Sequence, residues 1–145
     1  MRTNNTLKVA VMTMALVAVA LAPSFASAQS TVSGKVTLPC TTYWGSKALP
    51  AGEYQFSMTT TGGGTYIVAI RGVEQFIGTK ERDSDLKGDT LMIERYNGIA
   101  VVKALSLASH DVKLSFQTSR RAKEFVASAD VKPEILSARV TIAAE

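Results

Sequence analysis

The chain has 145 residues, a single cysteine, a single histidine and a formal net charge of +4. One cysteine excludes an internal disulfide framework, so packing alone must hold the fold together. The charge is too small and too dispersed to mark a nucleic-acid surface.

The N-terminal stretch reads as a cleavable secretory leader. Arg2 and Lys8 give a positive start, and the run from Val9 to Ala22 is apolar apart from Thr13. Such a run has signal-peptide length but is short for a membrane span. Pro23 breaks the helix, and Ala26 and Ala28 place small side chains at −3 and −1 of a cleavage point between Ala28 and Gln29. The expected organisation is therefore a signal peptide over residues 1–28 and one β domain over residues 29–145, periplasmic or extracellular. Loss of Arg2 and Lys8 leaves a net charge of +2. No second apolar run of membrane length follows, so no membrane span is expected after cleavage. Cys40 lies too far from the apolar segment for a lipidation signal and reads as a small buried hydrophobe, the alternative being an exposed thiol that pairs between chains.

Beyond the leader, apolar residues recur with a period of two. Val32, Gly34, Val36 and Leu38 share one face, and Tyr54, Phe56 and Met58 share another. Tyr43-Trp44-Gly45 reads as a loop between the first strand and the turn Leu49-Pro50-Ala51-Gly52. Tyr66 to Ile70 is apolar throughout, as in a strand covered on both sides. Gly62-Gly63-Gly64 is a mobile connection, and Arg71-Gly72 joins Ile70 to Val73 in a tight turn. A charged hairpin loop spans Thr79 to Asp89, and Leu91 and Ile93 then alternate with Met92 and Glu94. Asn97-Gly98 is the strongest hairpin signal, because a two-residue type I′ turn needs positive φ twice. Ile99 to Leu107 and Val112 to Phe116 are further strands, joined through Ser109-His110-Asp111. A short helix near residues 119–126 starts at Ser119 as N-cap, Pro133 ends helical structure, and Val140 and Ile142 face one way in a last strand. The pattern predicts an all-β domain, an antiparallel meander of seven or eight strands forming a small barrel or sandwich.

Two segments carry a resemblance. Leu49-Pro50-Ala51-Gly52-Glu53-Tyr54, and Leu91-Met92-Ile93-Glu94-Arg95-Tyr96 with its hairpin into Ile99 to Leu105, resemble a set of small secreted proteins common in acidobacterial genomes. Ser119 to Glu124 echoes the short Ser-to-Glu stretch near their ends, whereas Cys40-Thr41-Thr42-Tyr43-Trp44 differs from their plainer first strand. The resemblance implies export and a β fold, and no activity.

Candidate chemistry is sparse. Asp83, Asp85, Gly88 and Glu94 fall at positions 1, 3, 6 and 12 of an EF-hand calcium loop, but position 5 is Lys87, an ammonium where an oxygen ligand is needed. His110 sits beside Asp111, and adjacent side chains in extended backbone point apart, which disfavours an orienting pair. Paired carboxylates for glycoside chemistry could be drawn from Glu53, Glu74 and Glu94, and sequence spacing does not decide whether any two reach that separation. Arg120, Arg121 and Lys123, with Glu124 beside them, read as a solvated face. The sequence thus offers no catalytic, cofactor-binding or metal-binding set. Tyr43 and Trp44 remain as candidate ligand or partner contacts, with Trp44 read first as a plug over the end of the core.

The functional expectation is an exported, non-catalytic β module binding a ligand or an envelope partner. The alternatives are a structural role through sheet-edge pairing and a small secreted hydrolase. N-terminal sequencing of exported protein should begin at Gln29. A start before Ala20 would show that the leader is retained.

Overall fold

Each strand is built on the alternation that a pleated backbone imposes, with one face turned inward. The structure is a computed structural model that describes residues 29–82 and 85–144. The strands are β1 (Thr31–Leu38), β2 (Thr42–Trp44), β3 (Lys47–Leu49), β4 (Gly52–Gly62), β5 (Thr65–Ile70), β6 (Gln75–Lys80), β7 (Thr90–Tyr96), β8 (Ile99–Leu107), β9 (Val112–Phe116) and β10 (Glu134–Ile142). Helix α1 (Arg120–Ser128) lies between β9 and β10.

Eight strands close into an antiparallel barrel in the order β1-β4-β5-β6-β9-β8-β7-β10, with β10 returning to β1. The all-β barrel with one short helix agrees with the sequence reading. Most neighbours are consecutive in the chain, but the path departs from a strict meander twice. The segment between β6 and β7 crosses to the far side of β8, so residues 79–89 are not a hairpin loop. The segment containing α1 carries the chain from β9 past β8 and β7 to β10, which completes a Greek key over β7 to β10.

The interior is filled by side chains. Val36, Leu38, Phe56, Val68, Ile70, Leu91, Ile93, Val102, Leu105, Leu107, Leu114 and Val140 belong to one buried cluster, and Cys40 packs half-buried against it. Small barrels of eight strands have room for little else. On β5 only Val68 and Ile70 are buried. Ile67 and Ala69 face outward and are half-exposed, so this strand is covered on one side, not two.

Two register shifts let the wall curve. One lies in β4 between Thr60 and Gly62. The other makes Lys103 an extra residue in β8, because Met92 pairs with Ala104 and Ile93 pairs with Val102. Inward positions on β8 therefore switch from Leu105 and Leu107 to Ala100 and Val102.

The turns follow their chemistry. Asn97 and Gly98 both have positive φ, 46° and 85°, as a type I′ turn requires. Val73 N–H closes the turn onto Ile70 C=O at 3.1 Å, although β6 starts only at Gln75. Gly62, Gly63 and Gly64 are all at positive φ and make the compact β4–β5 turn. Ser119 caps α1 by accepting the Ala122 N–H at 3.2 Å. Arg120, Arg121 and Lys123 are exposed on that helix.

Two glycines face cross-strand phenylalanines inside the barrel: Gly34 pairs with Phe56, and Gly78 pairs with Phe116. A Cβ on Gly34 would stand 2.7 Å from the Thr141 carbonyl oxygen and 2.9 Å from the Phe56 ring. The ring occupies the space that a side chain would need. Gly34→Ala should therefore lower stability by about 1–3 kcal/mol as an overpacked site, while Ser33→Ala on the exposed face should stay within about 0.5 kcal/mol. Paired denaturant titrations test the contrast, and equal stabilities would refute it.

Candidate functional site

The barrel wall has one seam. β9 pairs with β6 only at Gly78, Thr79 and Lys80, and with β8 only at Ala104 to Leu107. Beyond these ladders the first half of β6 and the first half of β8 separate. The short hairpin of β2 and β3 enters the opening from the β8 side, with β2 pairing in parallel to β8 through Thr42 and Tyr43, and makes no ladder with β6. The segment read as a loop around Tyr43 and Trp44 is thus a strand. Three residues are too few to show an alternation, and the gap it enters is created by distant strands.

Trp44 is the centre of this repair. It is 1% exposed, stacks on Phe76 at 5.1 Å between centroids with 14° between the planes, and meets Phe116 edge-on at 5.2 Å. Such pairs contribute about 0.5–1.5 kcal/mol each beyond the area they bury. Thr42, the buried polar residue of the hairpin, donates to the Cys40 carbonyl at 2.9 Å. The Trp44 Nε1–H, by contrast, is buried without an acceptor among the described residues. An unpaired buried donor costs about 1–3 kcal/mol and calls for an explanation. Tyr43 is half-buried on the outer face, opposite Val101 of β8. Of the two aromatic candidates, Trp44 is the plug and Tyr43 stays within reach of solvent. Ala28 lies outside the described residues, and Gln29 is exposed at their start.

Along the seam runs a groove of about 370 Å³. Trp44, Phe76 and Phe116 form its floor, and Gly45, Gln75, Ile77 and Gln117 line its sides. Gly45, at φ +60°, brings the β2–β3 turn so close that a Cβ there would touch the Phe76 ring at 3.3 Å. Ile77 points outward from β6 and is 69% exposed, unusual for an isoleucine in mid-strand. Lys47 of β3 and Glu74 beside β6 face each other at 3.9 Å across the mouth.

A second depression, of about 620 Å³, crosses the outer faces of β10, β1, β4 and β5. Small side chains line it, with Lys35 and Arg71 also present. Both cations are engaged already, Lys35 with Glu53 at 2.9 Å and Arg71 with Gln55 at 2.7 Å. No buried side-chain polar atom there lacks a partner among the described residues, so the seam is the better candidate despite its smaller volume.

The structure scatters the remaining candidates. Asp89 accepts hydrogen bonds from the Ser109 N–H and Oγ at 3.0–3.2 Å, which fixes the turn before His110. The carboxylate thus serves the serine directly and does not orient the exposed imidazole, contrary to what a triad needs. Glu94 lies within β7, accepts from Tyr96 Oη and pairs with Lys103 at 3.5 Å, so it is no part of an acidic loop. Asp83 lies outside the described residues. Glu53, Glu74 and Glu94 are each committed to a different cation. Comparison with protein-family models, with curated protein sequences and with solved structures finds no match to this chain.

Tyr96 supplies a test of the outer-face geometry. Its phenol is pushed up from 10.0 to about 12, first because the hydroxyl donates to Glu94, then by burial and by the carboxylate's charge. The unfolded chain releases this proton near its ordinary value, so the contribution to stability is complete below about pH 10 and is lost as pH rises towards the folded value. An ultraviolet titration should show one of the four tyrosines ionising late, and Glu94→Gln should return it towards its ordinary range. An unchanged curve in the variant would break the assignment.

Proposed function

We propose that the chain is an exported, non-catalytic β module that recognises a ligand or envelope partner on the outside of a filled barrel, at the seam beside β2 and β3. The observation that carries this reading is an aromatic-floored groove with a buried, unpaired indole N–H, beside an interior already occupied by side chains. Binding sites combine apolar walls with a few polar groups that fix orientation, and the seam has that composition. The leader in the sequence supports export, and the dispersal of Ser109, His110, Asp89 and the three glutamates supports a module without chemistry.

The structural alternative, pairing through a sheet edge, draws support from one specific feature. Closure removes edges from most of the barrel, but β3 and the first half of β6 each keep one side without a paired strand among the described residues. Both lie at the seam, so the two readings meet at the same place.

Hydrogen exchange tests the siting. Exported protein incubated with a concentrated extract of its own compartment should show slowed amide exchange at Gly45–Ser46 and at Glu74–Ile77. Protection confined to the outer faces of β1, β4 and β5, or no protection anywhere, would overturn the proposal.

A further inference from the structure

We infer that the seam takes up a short extended segment of another polypeptide, added as a strand along the first half of β6. The inference rests on the recognition reading above and names the chemistry of the partner.

The main-chain directions on β6 follow from two hydrogen bonds. Lys80 N–H donates to the Gly64 carbonyl on the β5 side, and Glu81 N–H donates to the Lys113 carbonyl on the β9 side. Successive residues of a strand alternate in this respect, so the N–H and C=O of Gln75 point to the β9 side. There β9 has ended, because its pairing stops at Gly78. No main-chain hydrogen bond from the β2–β3 hairpin or from the segment after β9 reaches Gln75 among the described residues. The open side of β6 over Gln75–Ile77 therefore presents a donor and an acceptor at strand spacing, the complement of which is another extended main chain.

Side chains favour the same occupant. A residue laid opposite Phe76 turns inward towards Trp44, which already stacks on that ring, so the position suits a glycine or another small residue. Its neighbours turn outward beside Ile77, whose exposed side chain gains an apolar contact. Size selects a peptide over a second copy of the chain. The free edge is three residues, about 10 Å of strand, and the groove holds about 370 Å³. A stable dimer needs about 800 Å² from each partner, which so short an edge does not supply. A segment of a few residues fits it.

The test uses a library of random linear twelve-residue peptides panned on the exported protein. An enriched peptide is then resynthesised with single N-methyl groups at successive amides. Strand addition predicts that methylation at alternate positions weakens binding about tenfold, the loss of one hydrogen bond, with the intervening positions unaffected. Gln75→Pro removes the outward N–H while leaving the β5 side intact, a substitution strand edges tolerate, and should weaken binding similarly at unchanged melting temperature. If that variant does not fold, the methyl scan still decides. Failure to enrich any peptide, or binding indifferent to every methyl group, would overturn strand addition. In the latter case protection at the seam by compartment extract would leave side-chain recognition standing, which separates the two failures.

Discussion

The contact on which this barrel depends is Trp44 packed between Phe76 and Phe116. Ladder hydrogen bonds close the ring over only part of its height, because β9 is too short to span both β6 and β8. Where the ladder stops, one large side chain from a three-residue strand replaces it. Main-chain pairing is directional and fixes spacing, whereas an indole between two phenyl rings supplies area and excludes water. The wall is thus made of two materials. The join between them also holds the one buried side-chain polar atom without a partner among the described residues, the Trp44 Nε1.

That construction accounts for what could be read in advance. Long strands with one buried face were legible: Val32 to Leu38 and Ile99 to Leu107 appear at the expected positions, and Asn97-Gly98 makes the expected turn. Ser119 was legible as a cap because capping is local chemistry. β6 was harder, since Gly78 breaks its apolar rhythm for a reason lying in another strand, the Phe116 ring. β8 hid its two faces because the extra Lys103 reverses the alternation midway. The β2–β3 hairpin and the groove could not be read at all. They exist because β9 ends early, and nothing near Trp44 in the sequence records that. The unfilled demand of the indole N–H likewise depends on neighbours brought from β6 and β9.

The two Gly–Phe pairs show a common device at different heights of the barrel. A tightly curved wall crowds its interior, and exchanging a side chain for a hydrogen on one strand lets an aromatic ring from the next lie across it. Curvature and filling are thereby solved together. The same crowding leaves the described interior packed with side chains, which makes the filled barrel a rigid support for the seam.

The position of β10 has a consequence for how the ring is assembled. It is the last barrel strand in the chain and stands between β7 and the very first, β1. Whatever tunnel synthesises or conveys this polypeptide, the circle cannot be joined until residues near 140 have emerged. Until then β1 and β7 each offer a bare flank to any passing strand. A protein wired in this order closes late, and its vulnerable interval ends with the docking of β10.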